Sequence, residues 1–583
     1  MTQTVPTLER PTDPSMDMGT RTDTDGAQRT VYAQKALEQI PRILSNQDRT
    51  PTSPTYGCLH RDYWLDKTSD FPDAVRQFAV HALALVYKHD MPGNIYYGNK
   101  KVLEWTVAGL DFWADIQHRD GSFDEFYPYE RGWVGPTAFT TYTAIEALNE
   151  LGDEVPPHVR RKVTEAIGKA AHFIAAGESE EDHLANHHAM ACLAVWKAYA
   201  LLGDEKLKTG FERVWQDFLS YHTAEGWSRE YDGIDPGYLS ATVSFLTKIY
   251  QVNPDPRILA VIRSSAETCS YFAYPNRFYA GSMGSRNTLH FYPHGFEVMA
   301  SEVPIAGAVA EHLLKGLSED KLVPPAIISD RYLVYRVPEF LLAYLDYTPK
   351  QDLPDLPFER PPAVTYFPEA RVYAKNEARY YALANLAKGG VLKVFDKERD
   401  GDLVLNDCGV LGQTVDGKVF TSQWIDPNYV VAQSEDTVEV SGSCQWVPSH
   451  KVFNLTKNLA FRGVLLLTGW SPRLAHLLKG QIRKTLMIGQ RPAPMTFKRV
   501  VTFRKDGLEV ADELTLTGAA QVSSLAFGDE FFVRYVPQSR YFQSQELSVS
   551  GVSLDGDALA TLNRTRGFER RTELTVSGSR RAR

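Results

Sequence analysis

The sequence predicts an α-helical toroid followed by an antiparallel β-sandwich. The hydrophobic period changes from about 3.6 to 2 across a proline-rich stretch at 348–370. About ten helical stretches run in series before it with no strand signal between them. And 583 residues are too many for one ordinary core, so at least two domains are required.

Residues 1–50 read as a disordered or extended leader. The first thirty are rich in Thr, Asp and Pro and lack the apolar core of a signal peptide. No apolar run is long enough to span a membrane, so a cytoplasmic location is expected. From 51 to 347 the spacing is helical. In 70–87, Val75, Phe78, Ala79, Ala82, Leu83 and Val86 recur at i, i+3, i+4 and i+7. Similar stretches cover 101–117, 137–151, 159–175, 184–202, 207–221, 237–250, 256–271, 296–314 and 331–345. Turns such as Leu202-Gly203-Asp204 join them. Successive antiparallel hairpins can close into a ring, although no strict repeat period is visible.

Residues 348–370 carry six prolines and read as a linker. From 371 to 583 the segments 378–396, 417–424, 437–446, 498–503 and 508–516 alternate or run β-branched and aromatic, as sandwich strands do. An amphipathic segment at 472–488 interrupts them. Its Leu474, Leu477, Leu478 and Ile482 are expected to cover a sheet. The basic tail 578–583 is expected to be disordered.

The net charge of −9 is spread along the chain, which speaks against nucleic acid as a partner. A polyanion would have to be met by a local basic cluster. The five cysteines are scattered and form no CxxC pair, so neither a disulfide framework nor a zinc knuckle is supported. No cofactor is expected. The aromatic share of 11% suits a protein that presents flat rings to sugars, and also a large helical core.

Five polar, aromatic segments fall at loops or helix starts, the rim of a toroid. They are GCLHRDYW (57–64), QHRDGSFDEFYPYE (117–130), Asn186-His187-His188, GWSREYDGIDPGY (226–238) and SRNTLHFYPHGFE (285–297). Plain structural roles compete at several of these. Asn186 is a suitable helix cap, and Asp232-Gly233 and Pro236-Gly237 suit turns. His290 and His294 are four apart, but Pro293 between them argues against a regular helix, and no metal is expected.

Removing the C5 proton of a uronate sets definite requirements. The neighbouring carboxylate must be neutralised, a base must take the proton, and an acid must protonate the leaving glycosidic oxygen. Asn186, His187, Tyr238, Arg286 and His290 supply such groups from three segments. His60, Arg61, Tyr63, Trp64, Glu125, Tyr127, His188, Trp227, Arg229, Tyr231, Tyr292 and His294 are candidate contacts to an acidic polysaccharide. Paired carboxylates among Asp124, Glu125, Glu230, Asp232 and Asp235 keep a glycoside hydrolase open. A uronate C5-epimerase and a non-catalytic glycan-binding protein remain as further alternatives.

The helical half, the linker and the β-half opening at ARYYALANLAKGGVLKVFD resemble the heparinase II/III-like polysaccharide lyases and their alginate-lyase relatives, over about residues 55–570. In that family an Asn-His pair opens an inner helix, here Asn186-His187. A Tyr follows an acidic/Gly turn, here Asp235-Pro236-Gly237-Tyr238. The resemblance implies β-elimination, with Asn186 on the carboxylate, His187 as base for one C5 configuration, and Tyr238 as acid or as both base and acid. It departs from the family at 403–417, LVLNDCGVLGQTVDG, where a metal-associated His box is often found and here no His occurs. No export signal is expected either. Together with the segments at 57–64, 121–131 and 285–297, this implies a subgroup linked to exopolysaccharide or cell-surface glycan metabolism.

Overall fold

The computed structural model describes residues 23–126, 134–176, 184–447, 454–471, 474, 477–478, 480–481, 491–528, 541, 547 and 551–576. Its helical half comprises α1 (Asp23–Leu37), α2 (Ile40–Ser45), α3 (Arg61–Trp64), α4 (Ala79–Lys88), α5 (Lys100–Asp115), α6 (Val134–Leu151) and α7 (Pro157–Ala176). It continues with α8 (Ala185–Leu202), α9 (Glu205–Leu219), α10 (Pro236–Tyr250), α11 (Pro256–Ser270), α12 (Pro293–Val298), α13 (Pro304–Ser318) and α14 (Asp330–Leu345). Apart from bridges, the strands among the described residues here are β1 (Arg229–Glu230) and β2 (Gly233–Ile234), an antiparallel pair between α9 and α10.

The ring closes. Inner helices touch in the order α4, α6, α8, α10, α12, α14 and back to α4. Outer helices α5, α7 and α9, and then α11, α13 and α1, pack behind them. Sequence explains this division. Outer α9 buries a single stripe, Leu207, Phe211, Val214, Trp215 and Phe218, whereas inner α10 is buried all round from Pro236 to Ile249.

A turn that recurs round the ring supplies the repeat hidden in the sequence. In 118–122, Gly121 N–H donates to His118 O and His118 N–H to Ser122 O. The same pair of bonds recurs at 223–227 and 274–278. Gly121 (φ +94°) and Gly226 (φ +81°) press on the next outer helix, where a Cβ would meet Lys169 O at 2.5 Å and Ser264 O at 2.4 Å. At the third turn Arg277 takes the left-handed position (φ +68°), and Gly316 on α13 makes the room instead.

Two boundaries need correction. The leader expected over 1–50 contains α1 and α2, and Tyr32, Ala33, Ala36, Ile40 and Ile43 are buried in the toroid core. The apolar spacing at 32–43 outweighs the polar composition before it. The single helix expected at 296–314 is two, broken before Pro304, whose ring cannot continue a helix from the preceding turn.

Beyond α14 two antiparallel sheets stack. The smaller has β3 (Ala363–Phe367), β4 (Val372–Asn376), β5 (Tyr380–Asn385), β6 (Val391–Asp396) and β7 (Asp402–Asp407) in chain order. So the linker at 348–370 already contains β3. The larger holds β8 (Val410–Thr414), β9 (Val419–Thr421), β10 (Val430–Gln433), β11 (Thr437–Trp446), β12 (Pro492–Arg504), β13 (Gly507–Leu516), β14 (Val522–Phe527), β15 (Val552–Ser553) and β16 (Gly567–Thr575). β5 shows why its strand pattern is a run rather than an alternation. Tyr380, Ala382 and Ala384 face the sandwich core, while Tyr381 and Leu383 join the toroid core. Between β11 and β12 lies α15 (Leu455–Thr468). Of the segment 472–488, expected to cover a sheet, only residues 474, 477–478 and 480–481 are described, and Leu478 is partly buried. Leu474 and Leu477 are exposed, and Ile482 lies outside the described residues. The tail at 578–583 also lies outside them.

Buried histidines set a pH limit on this fold. Burial holds His60 down to about 4 and His81 down to about 3, against an ordinary 6.5. The unfolded chain takes up these protons below about pH 6.5 while the folded chain refuses them. Stability is therefore full above that value and falls as the pH drops towards 4. Relative to His60→Gln and His81→Gln variants, the parent is expected to lose roughly 2 to 3 kcal/mol more per histidine in urea unfolding between about pH 7 and 4.5. An equal pH response in parent and variants contradicts the assignment.

Candidate active site

The cleft is built where two inner helices begin. Glu230 on β1 turns inward, while its neighbour Arg229 faces solvent, as the period of a strand demands. Buried Glu230 Oε1 accepts from the Asn186 backbone N–H at 2.6 Å and from Asn186 Nδ2 at 2.9 Å. The carboxyl thus sits at the amino end of α8, whose exposed N–H groups favour an acceptor. Asn186 is not the cap itself, since that position belongs to Leu184. Instead its amide is pinned by Glu230, and one N–H of the amide remains for a ligand.

Asp235 performs the equivalent task for α10. It is fully buried, its Oδ1 accepts from Tyr238 N at 3.2 Å and its Oδ2 from Arg286 N at 2.9 Å. Tyr238 is thereby held in the first turn of α10. Its ring is buried, and burial pushes the hydroxyl well above its ordinary range, with Tyr231, Asp235 and Glu230 adding to the effect. The free protein therefore presents it as a neutral proton donor.

Glu125, Phe139, Asn186, His187, Tyr238, Phe245, Tyr292 and Tyr335 line one narrow cavity of about 30 Å³. The His187 ring stands edge-on to Phe139, centroids 5.4 Å apart. Glu125 is paired with Arg331 at 2.7 Å. Burial opposes the charge of Arg331, but Asp73 and Glu125 outweigh it and keep the guanidinium protonated. Five of the expected residues thus meet: Glu125, Asn186, His187, Tyr238 and Tyr292.

Arg286 and His290 are buried on the loop after α11 but do not line the cavity. The Arg286 guanidinium lies over the Tyr231 ring, 3.6 Å from its centroid, and reaches Asp232 at 4.0 Å. Tyr231 itself takes a left-handed backbone (φ +61°) between β1 and β2. His290 packs on Tyr541 at 5.4 Å between ring centroids. The β-domain holds this loop in place. Lys388 Nζ donates to Ser282 O at 2.8 Å, to Gly284 O at 2.7 Å and to Asn287 Oδ1, and Asn385 Nδ2 donates to Met283 O at 2.7 Å. These two residues belong to the ANLAKGG motif, so the motif's task here is a clamp from sheet to rim.

Other expected contacts lie elsewhere. His60 Nδ1 accepts from Asp73 N at 3.0 Å, and Trp64 Nε1 donates to Asn46 O at 2.8 Å. Arg61 pairs with Asp66, and Tyr63 stacks on His60. The segment 57–64 therefore braces the N-terminal helices rather than lining the cleft. His188 points away from His187 and stacks on Tyr221 at 4.7 Å. Trp227 belongs to the recurring turn and donates to Glu225 at 2.9 Å. His294 Nε2 meets Asp346 at 2.8 Å, beside the buried Lys248–Glu339 pair at 2.7 Å, and so ties α10, α12 and α14 together. Tyr127 lies outside the described residues. Among the described residues no group of His, Cys, Asp and Glu is arranged to hold a metal.

Sequence reasoning missed Phe139, Phe245 and Tyr335, and missed Arg331 as the partner of Glu125. The three aromatics sit on inner helices where nearly every position is buried, so periodicity does not distinguish lining from core.

Residues 94–295 match the model of the ulvan lyase N-terminal domain family. This span contains α5 through the start of α12, and with them both Asn186-His187 and Tyr238. A search of curated proteins finds no match. Among solved structures, the chain resembles the chondroitin AC lyase of Streptomyces coelicolor A3, which was solved with chondroitin sulphate. The TM-score is 0.51 at 12% identity, over 88% of this chain and 69% of that one. Heparinase III gives 0.47 at 10% identity over 94% and 83%. The heparan sulfate lyase HepC of Pedobacter heparinus gives 0.39 at 10% over 89% and 72%. The first of these likenesses establishes the shared fold. Family match and fold together support one class, the toroid polysaccharide lyases.

Proposed function

We propose that this protein cleaves a uronate-containing polysaccharide by β-elimination at the cleft between α8 and α10. The observation that carries the reading is the convergence of Asn186, His187 and Tyr238 on one cavity, each held by a separate structural device. Asn186 donates to the uronate carboxylate, so that negative charge can build there once the C5 proton leaves. His187 takes that proton as base. Tyr238, kept protonated by its buried setting, gives its proton to the leaving glycosidic oxygen. The C4–O bond breaks as the C4=C5 double bond forms, and no water is consumed.

A hydrolase reading is less well served. Glu230 and Asp235 are engaged with Asn186, Tyr238 and Arg286, and Glu125 is paired with Arg331. A panel of uronate polysaccharides, incubated with the protein and followed in the ultraviolet, tests the proposal. Elimination is expected to produce the absorbance of a conjugated unsaturated uronate together with new reducing ends. New ends without that absorbance would indicate hydrolysis, and neither signal on any uronate polymer would remove the enzymatic reading.

A further inference from the structure

We propose that α15 and the residues directly after it seat the protein on an anionic lipid surface. The helix meets the toroid across a pocket of about 390 Å³ that Arg462, Leu465 and Leu466 share with Asp70, Phe71 and Ile116. Leu465 is buried, and Arg462 reaches Asp70 on the toroid at 3.0 Å. Around that contact a row of large apolar side chains faces solvent. Leu455 is 73% exposed, Leu459 64%, Leu466 65%, Leu467 74%, Trp470 67% and Leu477 60%. These side chains belong to neither core of the molecule. A soluble chain gains nothing from such a patch unless something covers it.

Charge identifies the cover. The chain carries −9 overall, yet residues 440–490 contain no Asp or Glu while Lys and Arg recur, with exposed Lys457 on α15 itself. Leucines and a tryptophan beside cations, with no carboxylate to repel acidic headgroups, are what an interfacial helix presents to a membrane. The polysaccharide substrate would answer the cations but has no use for exposed leucines. A second copy paired face to face would set two net-cationic segments against each other, which their charge opposes. No described helix is long and apolar enough to cross a membrane, so the contact is one of surface seating.

Flotation of the full-length protein with vesicles tests this, using phosphatidylcholine alone and phosphatidylcholine mixed with phosphatidylglycerol. The comparison is a variant carrying Leu459→Glu, Leu467→Glu and Trp470→Glu. All three positions are exposed and outside the cleft, so its melting curve and its turnover of soluble substrate should match the parent. The parent is expected to float with the mixed vesicles. Binding should weaken at least about tenfold for neutral vesicles, and by a similar factor for the variant. Raised salt should weaken it further. Absence of flotation with the mixed vesicles, or equal flotation of parent and variant, overturns the proposal. So does a parent that is dimeric by light scattering while the variant is monomeric, which would assign the face to a second copy. Loss in the variant of binding to a uronate polymer, with vesicle binding absent, would assign it to substrate.

Discussion

Tyr238→Phe is expected to lower turnover by about 10² to 10⁴ while leaving the fold almost untouched, because a positioned proton-transfer group is worth that much. The substitution keeps the ring, which is buried, and deletes one oxygen. The backbone N–H that binds Asp235 is also retained, so the first turn of α10 should not move. The loss should therefore appear in kcat rather than in the melting temperature. Steady-state kinetics with a thermal melt on the same preparation read both. If turnover stays near the parent value, Tyr238 is a packing residue. The proton would then have to come from Tyr292 or Tyr335, the other phenols on the cavity wall.

Much of the scaffold that brings Tyr238 to the cleft is legible in the chain, and the reasons differ by element. Residues 437–441 alternate because β11 is there covered on one side by the sandwich core and is wetter on the other, and the alternation breaks at the register shift between Ser443 and Gln445. Amphipathic outer helices announce themselves through a single stripe, as α9 does. Closure of the ring is not legible, since it depends on α4 meeting α14 across most of the helical half. Nor is the recurring turn, because its third copy replaces Gly by Arg277 and moves the compensating glycine to α13. At the site, the Asn-His pair and the Asp-Pro-Gly-Tyr start of α10 stand out by residue type. Glu230 does not. A strand of two residues is too short to show a period, and its acceptor role depends on a helix forty-four positions away. Histidines misled in the other direction. His60, His188 and His294 are as conspicuous in sequence as His187, yet burial and local partners occupy them.

The buried Glu230 offers the second large effect, and it separates holding a catalytic group from being one. Asn186→Ala removes the amide that faces the uronate carboxylate, and should lower turnover by about 10² to 10³ through lost stabilisation of developing charge. Glu230→Ala leaves Asn186 in the chain but deprives its backbone N–H and its Nδ2 of their common acceptor. Two buried donors then go unpaired, at about 1 to 3 kcal/mol each in stability, and the amide is free to turn away. Turnover should consequently fall about as far as in Asn186→Ala, with a lower melting temperature as well. Glu230→Gln keeps an acceptor oxygen of the same reach and should restore most of both. Because the two residues act as a unit, the double variant Asn186→Ala/Glu230→Ala should be scarcely slower than either single one. Multiplying losses in the double variant would mean that Glu230 acts on substrate in its own right. That would return a carboxylate to the chemistry and reopen the hydrolase reading.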